Sequence, residues 1–373
     1  MWQPRLQLGL NFKIGGTPQV DSKLRAASSR RESMKTTFIA EVSGNHNGSL
    51  QRAIELVHVA ALAGVSHLKL QTYTPDSITL DIDKPAFRVV DSHQLWGGES
   101  LYKLYEKAQT PYEWHEEIFA LARQLGMTPF STPFDEAAVD FLESLGVELY
   151  KVASMEIIDL PLVSYVASKG MPMIISTGTA SLQEVDDAVK MARDSGCRDL
   201  TLLVCTSDYP ALPDQANLAR IPFLRDKYGC SVGLSDHTIG THVSMAAIAL
   251  GASVIEKHIC LSRDDGGVDS GFSATPEELS QLVSFGTEVA SAIGTPDSWD
   301  LLSEEQSRKH RPSIIVIRDV KAGARLTVND IATLRPNIGM PPKFFPQVLG
   351  LRAKRDLKRG EGLSQDGVHN FSP

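Results

Sequence analysis

Residues 231–259 read SVGLSDHTIGTHVSMAAIALGASVIEKHI. Two short β-rich runs, SVGLSDH and SVIEKHI, flank Thr241–Leu250, an apolar stretch with helical character. Strands joined through a helix run parallel, so the segment predicts a strand–helix–strand unit. The same alternation extends outward from Thr36 to about Gly294. The other strand candidates are TTFIAEV, HLKLQ, MTPFST, ELYKVAS, MPMIIST and DLTLLVCT. Helical stretches follow, among them Leu50–Ala63, Tyr112–Leu125, Glu136–Leu145 and Leu182–Ser195. Eight strands with crossovers fit a closed (β/α)8 barrel better than an open sheet, whose usual count is about five or six. No GxGxxG follows the first strand, which disfavours a dinucleotide-binding sheet.

At 373 residues the chain has room for such a barrel plus a small second domain. It is 42% hydrophobic and 22% charged, with no run long enough to span a membrane. The net charge of −8 is interspersed and leaves no basic field for nucleic acid. Cys197, Cys205, Cys230 and Cys260 form no CxxC pair and read as reduced thiols of a cytoplasmic protein. Residues 1–35 carry seven Lys/Arg against two acids and read as a tail, with translation expected to start at Met34 and a transit peptide as the alternative. Sequencing the native N-terminus decides, since an intact Met1 excludes a start at Met34. The connection Thr72–Thr110 is long enough to be functional, residues 295–310 read as a linker, and 311–373 as a compact module rich in turns. Within that module DVKAGARLTVNDI and DLKRGEGLSQDGV form a weak repeat.

A barrel places its active site at the carboxyl ends of its strands. Polar residues gather there: Glu41, Asn45, Lys69, Gln71, Ser131, Thr132, Lys151, Ser154, Glu156, Ser176, Thr177, Thr206, Ser207, Tyr209, Ser235, Asp236, His237, Glu256 and His258. Lysines at buried strand ends need anionic partners. Lys69 and Lys151 with nearby hydroxyls therefore suggest a site for phosphate and carboxylate, although one such lysine alone would be a structural ion pair. His237 and His258 end consecutive strands, a spacing that suits a divalent cation with open positions. The remaining histidines considered, His58, His67, His93, His115, His310 and His369, read as surface or packing residues. Glu41 and Glu156 could act as acid or base or hold sugar hydroxyls, and Gly44–Asn47 could be a tight turn as readily as a phosphate loop.

IAEVSGNHNGS, LKLQTY, STPFD, YKVASMEI, MPMIISTGTAS, CTSDYPA, VGLSDHTIG, GASVIEKH and SRDDGGVDSGFS, in that order, resemble the sialic acid synthase family from Thr36 to about Gly294. The C-terminal module, with LRPNIGMPP, resembles the antifreeze-like (SAF) domain attached to it. The segment LWGGESLYKLYEKAQTPYEWH and the serine of CTSDYP resemble the pseudaminic acid synthase branch. Thr179, Cys260 and Gly271 depart from the family pattern. The resemblance implies condensation of phosphoenolpyruvate with an open-chain amino-sugar aldehyde, releasing phosphate by C–O cleavage. It implies a metal, Mn2+ or Mg2+, on His237 and His258. Lys69, Lys151, Thr132, Ser154, Ser176, Ser207 and Ser235 would hold phosphoenolpyruvate, and Glu41, Gln71, Glu156, Tyr209 and Asp269 would contact sugar or water. Arg335 would reach over the partner's barrel in a domain-swapped homodimer. The alternative within the same family is an N-acetylneuraminate or legionaminic acid synthase; further readings are a Schiff-base aldolase using Lys151 and a non-catalytic carbohydrate-binding protein.

Overall fold

The computed structural model describes residues 36–90, 95–294, 299 and 302–372. The tail read over 1–35 lies outside them, as does part of the 295–310 linker. The chain divides into two compact units, Met1–Ile293 and Gly294–Pro373.

The first unit is a closed parallel barrel of eight strands: β1 Thr37–Glu41, β2 His67–Thr72, β3 Thr128–Pro133, β4 Tyr150–Val152, β5 Met173–Ser176, β6 Leu200–Cys205, β7 Ser231–Asp236 and β8 Val254–His258. It closes where β1 pairs with β8, from Thr37 opposite Val254 to Glu41 opposite His258. Side chains alternate along each strand, so one parity lines the interior. Ile39, Phe130, Ile174, Leu203 and Val254 form an apolar interior layer near the strand starts. Residues of the opposite parity, such as Ala40, Leu68, Leu70 and Leu202, pack outward against the helices. Gly233 is required by this closure, because a Cβ there would lie 2.2 Å from the Val254 carbonyl oxygen.

The main helices are α1 Leu50–Ala63, α2 Leu101–Ala108, α3 His115–Gln124, α4 Glu136–Ser144, α5 Leu160–Ser168, α6 Leu182–Asp194, α7 Arg220–Tyr228, α8 His242–Ala249 and α9 Pro276–Ile293. Their starts follow capping chemistry: Ser49, Asp135, Asp159 and Ser181 each accept a backbone N–H of the first turn. The connection Thr72–Thr110 is not structureless. It contains short helical turns at Pro75–Ile78 and Pro85–Phe87, a bridge between Arg88 and Ser100, and α2.

The C-terminal unit pairs β9 Ser313–Val316 antiparallel with β10 Ile331–Leu334 over its own small core. Its sequence repeat is a structural repeat. Val320 and Leu357 exchange backbone hydrogen bonds of 2.9 Å in both directions. Leu326 and Leu363, then Ile331 and Val368, are buried at equivalent positions. Each repeat also lends an aspartate to the other: Lys321 Nζ lies 2.8 Å from Asp356, and Lys358 Nζ lies 2.9 Å from Asp319. Those aspartates accept the Ala322 and Arg359 backbone N–H groups, at 2.9 Å each.

Candidate active site

Above the apolar interior layer lies a charged one. Glu41, Lys69, Lys151 and Glu256 come from β1, β2, β4 and β8, and all four are buried. Lys69 Nζ contacts Glu41 Oε2 at 2.5 Å and Glu256 Oε1 at 3.6 Å, and donates to Thr132 Oγ1 at 3.3 Å. Lys151 Nζ is 3.9 Å from Glu256 Oε1 and donates to the Val152 carbonyl at 3.3 Å. Burial alone would lower both ammonium groups, but the carboxylates of Glu256 and Glu41 outweigh it for Lys69, whose pKa is raised. For Lys151 burial prevails and the pKa is lowered, despite Glu256. Burial would raise Glu256, yet Lys151 and Lys69 hold it at about 2. The two lysines are therefore not free cations, and Lys151 is the one with charge left to offer an anion.

The hydroxyls divide by what they already hold. Ser235 donates to Glu256 Oε1 at 3.0 Å, and Gln71 Nε2 donates to Glu41 Oε1 at 3.3 Å and Ser43 Oγ at 3.0 Å. Ser154 accepts the Gly178 N–H at 3.2 Å. A Cβ on Gly178 would lie 2.4 Å from Ser207 Oγ and 2.7 Å from Ser154 Oγ, so only glycine lets these hydroxyls converge. Ser176 Oγ is buried and has no hydrogen-bond partner. Neither has Glu256 Oε2 or Glu156 Oε2. Buried polar atoms without partners are uncommon, and these gather at one end of the barrel, where a polar ligand would satisfy them. Glu156 opens the 3-10 turn after β4, and burial raises its carboxyl pKa.

His237 and His258 face each other with ring centroids 5.3 Å apart. His237 Nδ1 lies 2.9 Å from the Thr206 carbonyl oxygen, to which it must donate, leaving the Nε2 lone pair available. His258 Nδ1 sits 3.4 Å from Asp269 Oδ2. Asp269 also accepts from Ser43 Oγ and is fixed through its N–H to Asn45 Oδ1 at 3.2 Å. Burial opposes ionisation of Asp269, but His258 beside it holds its pKa below the usual carboxylate range. No group of three or more His, Cys, Asp or Glu among the described residues is arranged as a metal cluster. Two imidazoles beside a carboxylate still suit a borderline divalent cation whose other positions are open.

An aromatic wall stands beside the histidines. Tyr209 is 4.5 Å from His237 and 5.2 Å from Phe272, and Phe272 is 5.0 Å from His258. Trp96, from the long connection, is 5.7 Å from Tyr209. Cys205 Sγ lies 3.9 Å from His237 Nδ1; burial opposes its ionisation, but His237 brings the thiol to about 7. All four cysteines are unpaired.

The barrel residues singled out from sequence thus converge on one end of the strands. Arg335 belongs to the C-terminal unit, where it is exposed directly after β10. Sequence reasoning noted Glu256 only as a strand-end residue and missed its place between the lysines. Period-two alternation from His258 would have pointed it inward. Ser43, Trp96 and Phe272 carried no such signal. A cavity of about 300 Å3 lies at the opposite end around Ile39, His67, Glu148 and Thr201. None of its lining residues holds a buried polar atom without a partner, so the chemistry belongs at the carboxyl end.

Comparison with known proteins agrees with this architecture. Residues 56–298 match the NeuB family and residues 311–368 the SAF domain. The chain is 40% identical to the pseudaminic acid synthase of Helicobacter pylori over 332 residues, covering 89% of this chain and 97% of that protein. It is 35% identical to the N,N'-diacetyllegionaminic acid synthase of Legionella pneumophila, covering 91% and 97%. The crystal structure of the N-acetylneuraminic acid synthetase of Leptospira borgpetersenii, in complex with citrate, superposes with a TM-score of 0.66 at 29% identity, covering 73% of this chain and 90% of that one. The chain belongs to the NeuB family and carries a C-terminal SAF domain.

Proposed function

We propose that this chain is a pseudaminic acid synthase, joining phosphoenolpyruvate to the open-chain aldehyde of 2,4-diacetamido-2,4,6-trideoxy-altrose. The observation that carries this reading is the similarity to pseudaminic acid synthases over 89% of the chain, combined with a barrel mouth whose buried polar atoms lack partners. In the reaction C3 of phosphoenolpyruvate forms the new bond to the aldehyde carbon, and the aldehyde oxygen takes up a proton. Water adds at C2, and phosphate leaves with the C–O bond electrons. Lys151, undercompensated by Glu256, binds the anionic reactant together with Ser154, Ser176 and Ser207. Glu41, fixed by Lys69, Gln71 and the Ser43 N–H, positions the water. His237 and His258 would hold a Mn2+ or Mg2+ ion, which would supply Lewis-acid polarisation of the aldehyde when bound.

The protein acts as a homodimer in the cytoplasm. Exposed Val328, Leu334 and Ile338 in the C-terminal unit support association, and four unpaired thiols suit a reducing compartment. Incubation with phosphoenolpyruvate and Mn2+ tests the function. The altrose donor should release phosphate and give the product mass, while the mannose-configured diacetamido sugar and N-acetylmannosamine should react poorly. Preference for either of those would assign a legionaminic or N-acetylneuraminic acid synthase, and loss of turnover on chelation tests the metal. One observation favours a different mechanism: burial lowers the Lys151 pKa, as a Schiff-base nucleophile requires. Borohydride trapping of pyruvate on Lys151 would establish it.

A further inference from the structure

Trp96 follows Tyr209 in the aromatic series that begins at the histidines. His237 meets Tyr209 at 4.5 Å, and Tyr209 meets Trp96 at 5.7 Å. The indole N–H is spent on the Val268 carbonyl oxygen at 2.9 Å, which ties the long connection to the segment leading into Phe272. The neighbouring Leu95 makes the same junction. A Cβ on Gly271 would come within 3.3 Å of Leu95 Cδ2, so the glycine at this position gives Leu95 its room. Tyr209 and Trp96 are both partly exposed, whereas Phe272 is buried behind them. A sugar held by its aldehyde end at the histidines and extended along Tyr209 would bring its far end to Trp96.

We propose that Trp96 is a specificity-determining residue that selects a sugar ending in a C6 methyl group over one ending in a hydroxymethyl group; this rests on the reading given under Proposed function. A methyl group against an indole face gains apolar contact, whereas a hydroxyl placed there gives up its hydrogen bonds to water without replacement. An apolar surface rejects an added hydroxyl by about 100-fold at most, which sets the scale of the effect.

The test compares kcat/KM for the 2,4-diacetamido-2,4,6-trideoxy donor with that for the same sugar bearing a C6 hydroxyl. The native protein should favour the deoxy donor by roughly 10- to 100-fold, and Trp96→Ala should cut that ratio by about tenfold with little change in the KM for phosphoenolpyruvate. Trp96→Phe should keep most of the preference. Trp96→Gln should also shift the ratio towards the hydroxylated donor, and it decides the matter if Trp96→Ala does not fold. A ratio unchanged by these substitutions overturns the proposal, as does an equal loss for both donors. Native protein that uses both donors equally well overturns the role of Trp96 alone. Native protein that converts neither overturns the functional reading and the role of Trp96 with it.

Discussion

Lys69 and Lys151 share one buried layer, but Lys69 has two carboxylates within 3.6 Å and Lys151 has one at 3.9 Å. The difference assigns them different work. Lys69 fixes Glu41, and Lys151 is left to meet an anion. Lys151→Ala should therefore raise the KM for phosphoenolpyruvate by about 10- to 100-fold, the cost of a charged hydrogen bond, and move the sugar KM much less. Steady-state kinetics with each substrate varied in turn checks this, and a change confined to the sugar KM would misplace Lys151. The sequence disclosed which residues end the strands, because polar residues at the ends of apolar runs stand out. It did not disclose how they pair. The contact of Cys205 with His237 joins β6 to the end of β7, and it becomes visible only once the barrel has closed.

The strand–helix–strand unit over 231–259 was legible as an element, and so were the other six barrel strands, because runs of β-branched residues separated by helical stretches leave few arrangements. The segment 72–110 was not, since its turns are short and its one longer helix, α2, has only eight residues. Hidden within the 231–259 unit is a clasp. The fully buried Lys257 reaches from β8 to Asp236 Oδ2 at 3.1 Å and to the Thr238 carbonyl at 2.7 Å, while Asp236 accepts from Thr238 and Ser244. The clasp joins the turn after His237 to the strand that carries His258. Lys257→Met leaves Asp236 buried without its cation and should destabilise the barrel by about 3–5 kcal/mol. Denaturant unfolding measures the loss; a change under about 1 kcal/mol would mean that the clasp does not hold the unit together.

At the scale of the whole molecule, stability should depend on acid through histidines that are not in the site. Burial holds both His46 and His115 at about 4, against 6.5 for an exposed imidazole. Between those values the unfolded chain binds protons that the folded chain excludes, so stability is full above pH 6.5 and falls as pH drops towards 4, by about 3 kcal/mol per histidine. His115→Gln should flatten the difference in urea midpoint between pH 7.5 and pH 5, and an unchanged difference would locate the acid sensitivity elsewhere. The proposed dimer makes its own prediction. If Arg335 serves the partner's barrel, mixing Arg335→Ala with His258→Ala subunits creates one site free of both lesions, so activity should reappear from two nearly inactive parents. Absence of recovery in confirmed heterodimers would confine Arg335 to its own chain. The paired turns of the C-terminal unit have a consequence of another kind. Each is locked by an aspartate from the other copy, so one copy alone lacks its lock but could obtain it from an identical neighbour. That reciprocity makes the two aspartates interchangeable: Asp319→Ala and Asp356→Ala should lower the melting temperature of the unit equally.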